Sequence, residues 1–144
     1  NLLLNTCGNV FSYMEAVSNE NKIEYIGEID YKNMKEFNSG YASLDRVKEH
    51  PSYPINVVTL DNKFSKIKRL DLIKIDAEGH EVPILKGADE LIKKFKPMIL
   101  TEFDVNNKQQ IIDLLPEYNL EDISYNYELK GIRYRNLMFK GTHR

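Results

Sequence analysis

The stretch Asp76-Ala77-Glu78-Gly79-His80-Glu81 crowds three carboxylates and an imidazole around one glycine. Carboxylates held this close can bind a metal ion, orient a cationic ligand or take a proton from a substrate. Asp76 follows the apolar run Leu70-Asp71-Leu72-Ile73-Lys74-Ile75, and ligands of open α/β sheets bind beyond the carboxyl ends of the strands. Gly79 permits a sharp turn that keeps Glu78 near Asp76. A structural use is equally available, because Glu78 and Glu81 complement the positive end of a following helix and Asp76 can cap it. Glu102 and Asp104 end the next apolar run and would line the same sheet edge, although a solvated strand end explains them nearly as well. His80 has the chemistry of a general base, but a histidine at the first turn of a helix is more often simply exposed. His50 and His143 lack metal-ligand spacing to another His or Cys. Cys7 reads as a small packed side chain. Tyr125, Tyr127 and Tyr134 cluster near a C-terminal hairpin, as strand propensity alone would arrange. The sequence contains no GxGxxG, GxxxxGK[ST] or GxSxG motif and no Cys/His zinc cluster.

These residues need a frame. The period of 3.6 over residues 81–95, with apolar side chains at 84, 85, 88, 91, 92 and 95, predicts one helix. Pro83 fits its first turn, lysines 93, 94 and 96 fit its negative end, and Pro97 stops it. The near-continuous apolarity of residues 70–75 predicts a strand buried on both faces, as in a parallel sheet. Residues 98–103 form the next strand. Asn106 or Asn107 caps a shorter helix running through Ile111, Ile112, Leu114 and Leu115 to Pro116. Residues 121–127 and 136–140 read as strands, with a turn at 128–131. Upstream, residues 9–18 read as a strand and residues 22–29 as a half-buried one. Residues 55–60 form a short strand, and Asp61 caps a brief turn after it. Residues 30–54 read as an irregular insertion with one helical turn near 44–47. The second half therefore describes an α/β sheet, parallel at first and closed by an antiparallel hairpin.

A chain of 144 residues is sized for one domain spanning residues 1–144. Its 20 Lys+Arg against 22 Asp+Glu give a net charge of −2, without the basic excess that nucleic-acid binding needs. No apolar run approaches the ~18 residues of a membrane span. The opening Asn1-Leu2-Leu3-Leu4 is too short for a secretory signal. Cys7 is the single cysteine, so an internal disulfide is excluded and a reducing, cytoplasmic setting is expected. The chain begins with Asn1 followed by what reads as the interior of an element, which suggests a piece of a longer protein.

Residues 70–88, with Asp76-Ala77-Glu78-Gly79-His80-Glu81 followed by Leu85-Lys86-Gly87-Ala88, resemble the signature of FkbM-type methyltransferases: D-x-E-G-x-E, then an L-K-G-A helix. Ala16-Val17-Ser18 is similar to that family's turn after its third core strand, and Val57-Val58-Thr59-Leu60-Asp61 to its V-x-T-L-D segment. The likeness covers most of residues 9–104. It implies a Rossmann-like class I methyltransferase fold, S-adenosylmethionine as cofactor, and methyl transfer to a hydroxyl of a small molecule or sugar. It places Asp76 beside cofactor and acceptor, makes Glu78 the nearest candidate to orient the acceptor or remove its proton, and sets Ala16, Val17 and Ser18 near the adenine. The family's glycine-rich loop and the acidic end of its second strand are missing. The resemblance therefore implies the C-terminal part of a domain truncated at its N-terminus, lacking core strands one and two. The strand at 70–75 is then left with an open apolar edge and the strand at 10–17 without its neighbour, so the chain alone is expected to be marginal and inactive. Two rival readings stand beside it. One is a metal-dependent nucleotide-sugar glycosyltransferase using Asp76 and Glu78. The other is a non-catalytic α/β interaction module.

Overall fold

The computed structural model describes residues 8–27, 51–103, 106–123, 128–129, 132–133 and 135–141. The sequence readings at Cys7, His50, Asp104, Tyr125, Tyr127, Tyr134 and His143, and most of the insertion at 30–54, lie outside these residues.

The N-terminal half builds a three-stranded sheet from β1 (Ala16–Val17), β2 (Lys22–Gly27) and β3 (Pro51–Val58), in the order β1-β3-β2. β1 runs parallel to β3, pairing Ala16 with Val57 and Val17 with Val58. β2 runs antiparallel to it. The strand expected over residues 9–18 is thus only two residues long, and it does have a neighbour. Residues 10–15 have no strand partner among the described residues, and Phe11 and Met14 are 80% and 96% exposed. Side chains tie this stretch down instead. Lys63 pairs with Glu15 at 2.6 Å and lies over the Tyr13 ring, which meets Phe64 in a T-shaped contact. β3 also begins earlier than the insertion reading allowed, taking in Pro51 and Pro54. Among the described residues β1 covers only Val57 and Val58, and no strand pairs with that side of β3 around Pro54, where a missing N–H is tolerated.

The helix α1 (Leu60–Lys63) is capped by Thr59, whose Oγ1 accepts from the Asn62 N–H at 3.2 Å. Asp61, expected to cap this turn, acts elsewhere. The single helix expected over 81–95 is two helices, α2 (Glu81–Lys86) and α3 (Asp89–Phe95). The residue before α3, Ala88, has no side-chain acceptor for the helix's first N–H groups. Asp61 supplies it from a distance, accepting from the backbone N–H groups of Glu90 and Leu91 at 3.1 and 2.9 Å. Its own N–H donates to the Gly87 carbonyl. Gly87 lies where a Cβ would meet the Ser18 carbonyl oxygen at 2.1 Å. The glycine of the L-K-G-A sequence therefore lets the turn after β1 press against the break between α2 and α3.

The larger sheet has the order β4-β5-β9-β6, from β4 (Leu72–Ile75), β5 (Met98–Glu102), β6 (Tyr118–Asp122) and β9 (Asn136–Gly141). β4 and β5 are parallel, and β9 is antiparallel to both β5 and β6. β7 (Glu128–Leu129) and β8 (Ile132–Arg133) pair with each other, in place of the turn read at 128–131. The helix α4 (Lys108–Leu114) crosses against α2. Ile99, Ile111, Leu137 and Phe139 are wholly buried in the core between this sheet and its helices. β4 is not buried on both faces as its composition suggested. Leu72 is 54% exposed and only Ile75 is buried, because β4 pairs on one side alone among the described residues. None of the described helices is long and apolar enough to cross a membrane.

Gly87→Ala forces a methyl group into backbone it cannot displace cheaply, and the expected loss is roughly 2–3 kcal/mol. Urea unfolding should show a lower midpoint with an unchanged slope; a wild-type midpoint would mean that the contact with Ser18 does not set the helix break.

Candidate functional site

Immediately after β4 the chain turns back on itself. The His80 N–H donates to the Ala77 carbonyl at 3.0 Å, and the two residues between, Glu78 and Gly79, have φ of 48° and 102°. Positive φ at both central positions is the pattern of a type I′ turn. Gly79 adopts it freely, whereas Glu78 does so under strain that its surroundings must offset. The offset comes from Glu81, which is only 1% exposed. Its Oε1 accepts from the Gly79 N–H at 3.0 Å and the Ala77 N–H at 3.3 Å, while Oε2 accepts from Asn107 Nδ2 at 2.8 Å. Glu81 is thus a buried fastener of the loop rather than a surface group complementing a helix end. Asn107 does precede α4 as the sequence suggested, but its side chain goes to Glu81 and makes no cap.

The parallel register pairs Ile75 with Thr101, so Asp76 and Glu102 stand level at the ends of β4 and β5. At that spacing each carboxyl group is felt by the other, and the negative charge of Asp76 disfavours ionisation of Glu102. Asp76 is also paired with Lys74 at 2.7 Å, and the ammonium holds its carboxyl below the usual carboxylate range. Glu102 goes the other way. Burial, then the charge of Asp76 and its hydrogen bond, then the charges of Glu78 and Glu81, push it up to about 7. Lys74 escaped the sequence reading. Its signal was the alternation of a strand, which puts residues 74 and 76 on one face.

Val17 and Asp76 meet in one place. A cavity of about 560 Å³ lies along the open side of β4, walled largely by apolar side chains including Leu60, Phe64, Ile73 and Ile84, with Val17, Lys74 and Asp76 also lining it. Ala16 is half-buried in its pairing with Val57. Ser18 is buried, and its hydroxyl lies 3.2 Å from Asn19 Oδ1 and 3.0 Å from His80 Nε2. If the hydroxyl donates to Asn19, the imidazole donates to Ser18. The turn after β1 is thereby joined to the acidic loop. Glu78 is exposed on the turn and does not line the cavity.

Two outcomes are expected. Glu81→Ala leaves two backbone N–H groups and the Asn107 amide without their acceptor, a loss of about 2–4 kcal/mol in urea unfolding; a change within error would show that the loop holds itself. Glu102 binds its proton more tightly folded than unfolded between its ordinary 4.5 and about 7. Its contribution to stability is therefore greatest below pH 4.5 and declines as pH rises through that window, by about 1 kcal/mol after solvent screening. Thermal melts across this range should show the decline in the wild type and its absence in Glu102→Gln, and equal slopes would contradict the assignment.

No curated protein matches this chain at a significant level. The crystal structure of Methyltransferase FkbM from Methylobacillus flagellatus KT is similar at 24% identity and a TM-score of 0.46, covering 60% of this chain. The chain corresponds to 23% of that protein's length. Residues 5–128, most of the chain, match the family described as Methyltransferase FkbM domain. The chain belongs to the FkbM methyltransferase family.

Proposed function

We propose that this chain forms part of a domain that transfers a methyl group from S-adenosylmethionine to a hydroxyl oxygen of a small molecule or saccharide. The observation carrying this reading is the convergence of Asp76 and Glu102 at the ends of two parallel strands, with Asp76 at the wall of an apolar cavity. A carboxylate kept ionised by Lys74 at the margin of an apolar space suits a cation that carries a flat ring system, so the residues present are compatible with the cofactor. When bound, S-adenosylmethionine supplies an electrophilic methyl group on a sulfonium sulfur. Ala16 and Val17 would flank its ring system, with Ser18 fixing their turn through His80. Asp76 would face the positive charge, and Glu78 would help orient the acceptor hydroxyl. In this reading a glycine-rich loop and two strands preceding residue 1 complete the cradle along β4. Family membership gives the rival nucleotide-sugar transferase and the non-catalytic module no support.

Calorimetric titration with S-adenosylmethionine tests the reading on two proteins, this chain and the chain extended through its natural upstream sequence. The extended protein should bind with a Kd in the micromolar range, and this chain weakly or not at all. Asp76→Asn in the extended protein should weaken binding roughly 10-fold, as loss of a charge partner predicts. Micromolar binding by this chain would contradict the need for upstream strands, and no binding by the extended protein would sink methyl transfer.

A further inference from the structure

We propose that His80 is a positioning residue: through Ser18 it sets the separation between Val17 and Asp76 in the cavity, and so selects a ligand long enough to reach both. The inference rests on the methyl-transfer reading and deepens it, because that reading gives the ring system to the turn after β1 and the positive charge to the end of β4.

The cavity takes lining residues from both sheets: Val17 from the end of β1, and Asp76 and Ala77 from the exit of β4. His80 stands between these two groups. Its imidazole is half-buried, and Nε2 lies 3.0 Å from the Ser18 hydroxyl, a contact between residues 62 apart in sequence. Ser18 directly follows Val17, and its N–H donates to the Val58 carbonyl at 3.0 Å, just past the pairing of β1 with β3. On the other side, the His80 N–H donates to the Ala77 carbonyl at 3.0 Å and closes the turn that holds Glu78 at positive φ. Ala77 is held in turn, its N–H donating to Glu81 Oε1. A run of hydrogen bonds therefore crosses from β3 through Ser18 and His80 to Ala77. The direction of its central bond is fixed. The Ser18 hydroxyl donates to Asn19 Oδ1 at 3.2 Å, so it accepts from the imidazole. Asn21 secures the same turn to the end of β3, its Oδ1 accepting from the Thr59 N–H at 3.1 Å. With both ends tied, Val17 and Asp76 are presented at a preset spacing, and binding a ligand that spans them costs less ordering. A ligand that touches the Val17 end alone gains nothing from that spacing.

The experiment uses the chain extended through its natural upstream sequence and two titrants, S-adenosylmethionine and adenosine, which carries the ring system without the sulfonium. His80→Leu should weaken S-adenosylmethionine about 10-fold, the order of one lost hydrogen bond, while adenosine stays within about 2-fold of wild type. His80→Gln keeps an N–H donor at similar reach and should recover most of the loss. Ser18→Ala should weaken S-adenosylmethionine as His80→Leu does, and the double variant should be no worse than either alone, because both remove the same bond. Equal losses of the two titrants in His80→Leu overturn the assignment, since a residue that only supports the fold would give them. Wild-type affinity for S-adenosylmethionine in His80→Leu, or no recovery in His80→Gln, overturns it as well. No binding of S-adenosylmethionine by the unmodified extended protein sinks the methyl-transfer reading itself, and the positioning role with it.

Discussion

One buried carboxylate underlies the arrangement at the end of β4. Glu81 gathers two backbone N–H groups of the loop and the amide of Asn107, and so fastens the strand exit, α2 and α4 to one another. A buried anion is tolerated only where donors replace the water it has lost, and here three do. Without that anchor nothing in the local sequence would hold Glu78 at positive φ, since a non-glycine residue pays in strain for that conformation. Because the loop is fixed, Asp76 stays level with Glu102 across the parallel register.

The same logic links the two halves of the chain. The turn after β1 meets the α2–α3 break through the Ser18 backbone and meets the acidic loop through the Ser18 hydroxyl. Gly87 leaves the space for the first contact, and His80 makes the second. Asp61, a residue of α1, adds a third tie by capping α3. Residues that a family signature groups by spacing thus turn out to be joined by specific hydrogen bonds. The cavity beside β4 lies where these ties leave an apolar strand side unpaired among the described residues.

Much of this was legible in the sequence, and the exceptions share a cause. The β4–helix–β5 succession, its proline stop and the closing antiparallel strand β9 follow from local periodicity and punctuation, which tertiary contacts did not override. The helix break at Gly87 did not, because 3.6-residue spacing continues across it and only the approach of Ser18 and the cap from Asp61 reveal it. The brevity of β1 was hidden for a related reason. Val10, Phe11 and Tyr13 have strand-forming side chains, but a strand exists only where a neighbour pairs with it. Exposure of Leu72 likewise goes with β4 having a strand neighbour on one side alone among the described residues, which the run of apolar residues itself does not encode. At the site, Asp76 stood out by position, whereas Glu81 looked like a helix-end acid. Its burial depends on Asn107, twenty-six residues away in sequence, and no local pattern encodes such a pairing.

The central claim is that cofactor chemistry happens where β1, the acidic loop and the end of β5 converge. Amide chemical shifts of the extended, 15N-labelled protein, recorded with and without S-adenosylmethionine, test it most directly. The account predicts that the perturbed amides within this stretch concentrate at residues 16–18, 76–79 and 102–103. Perturbations centred instead on β6 and the β7–β8 pair, with the acidic loop unmoved, would contradict it.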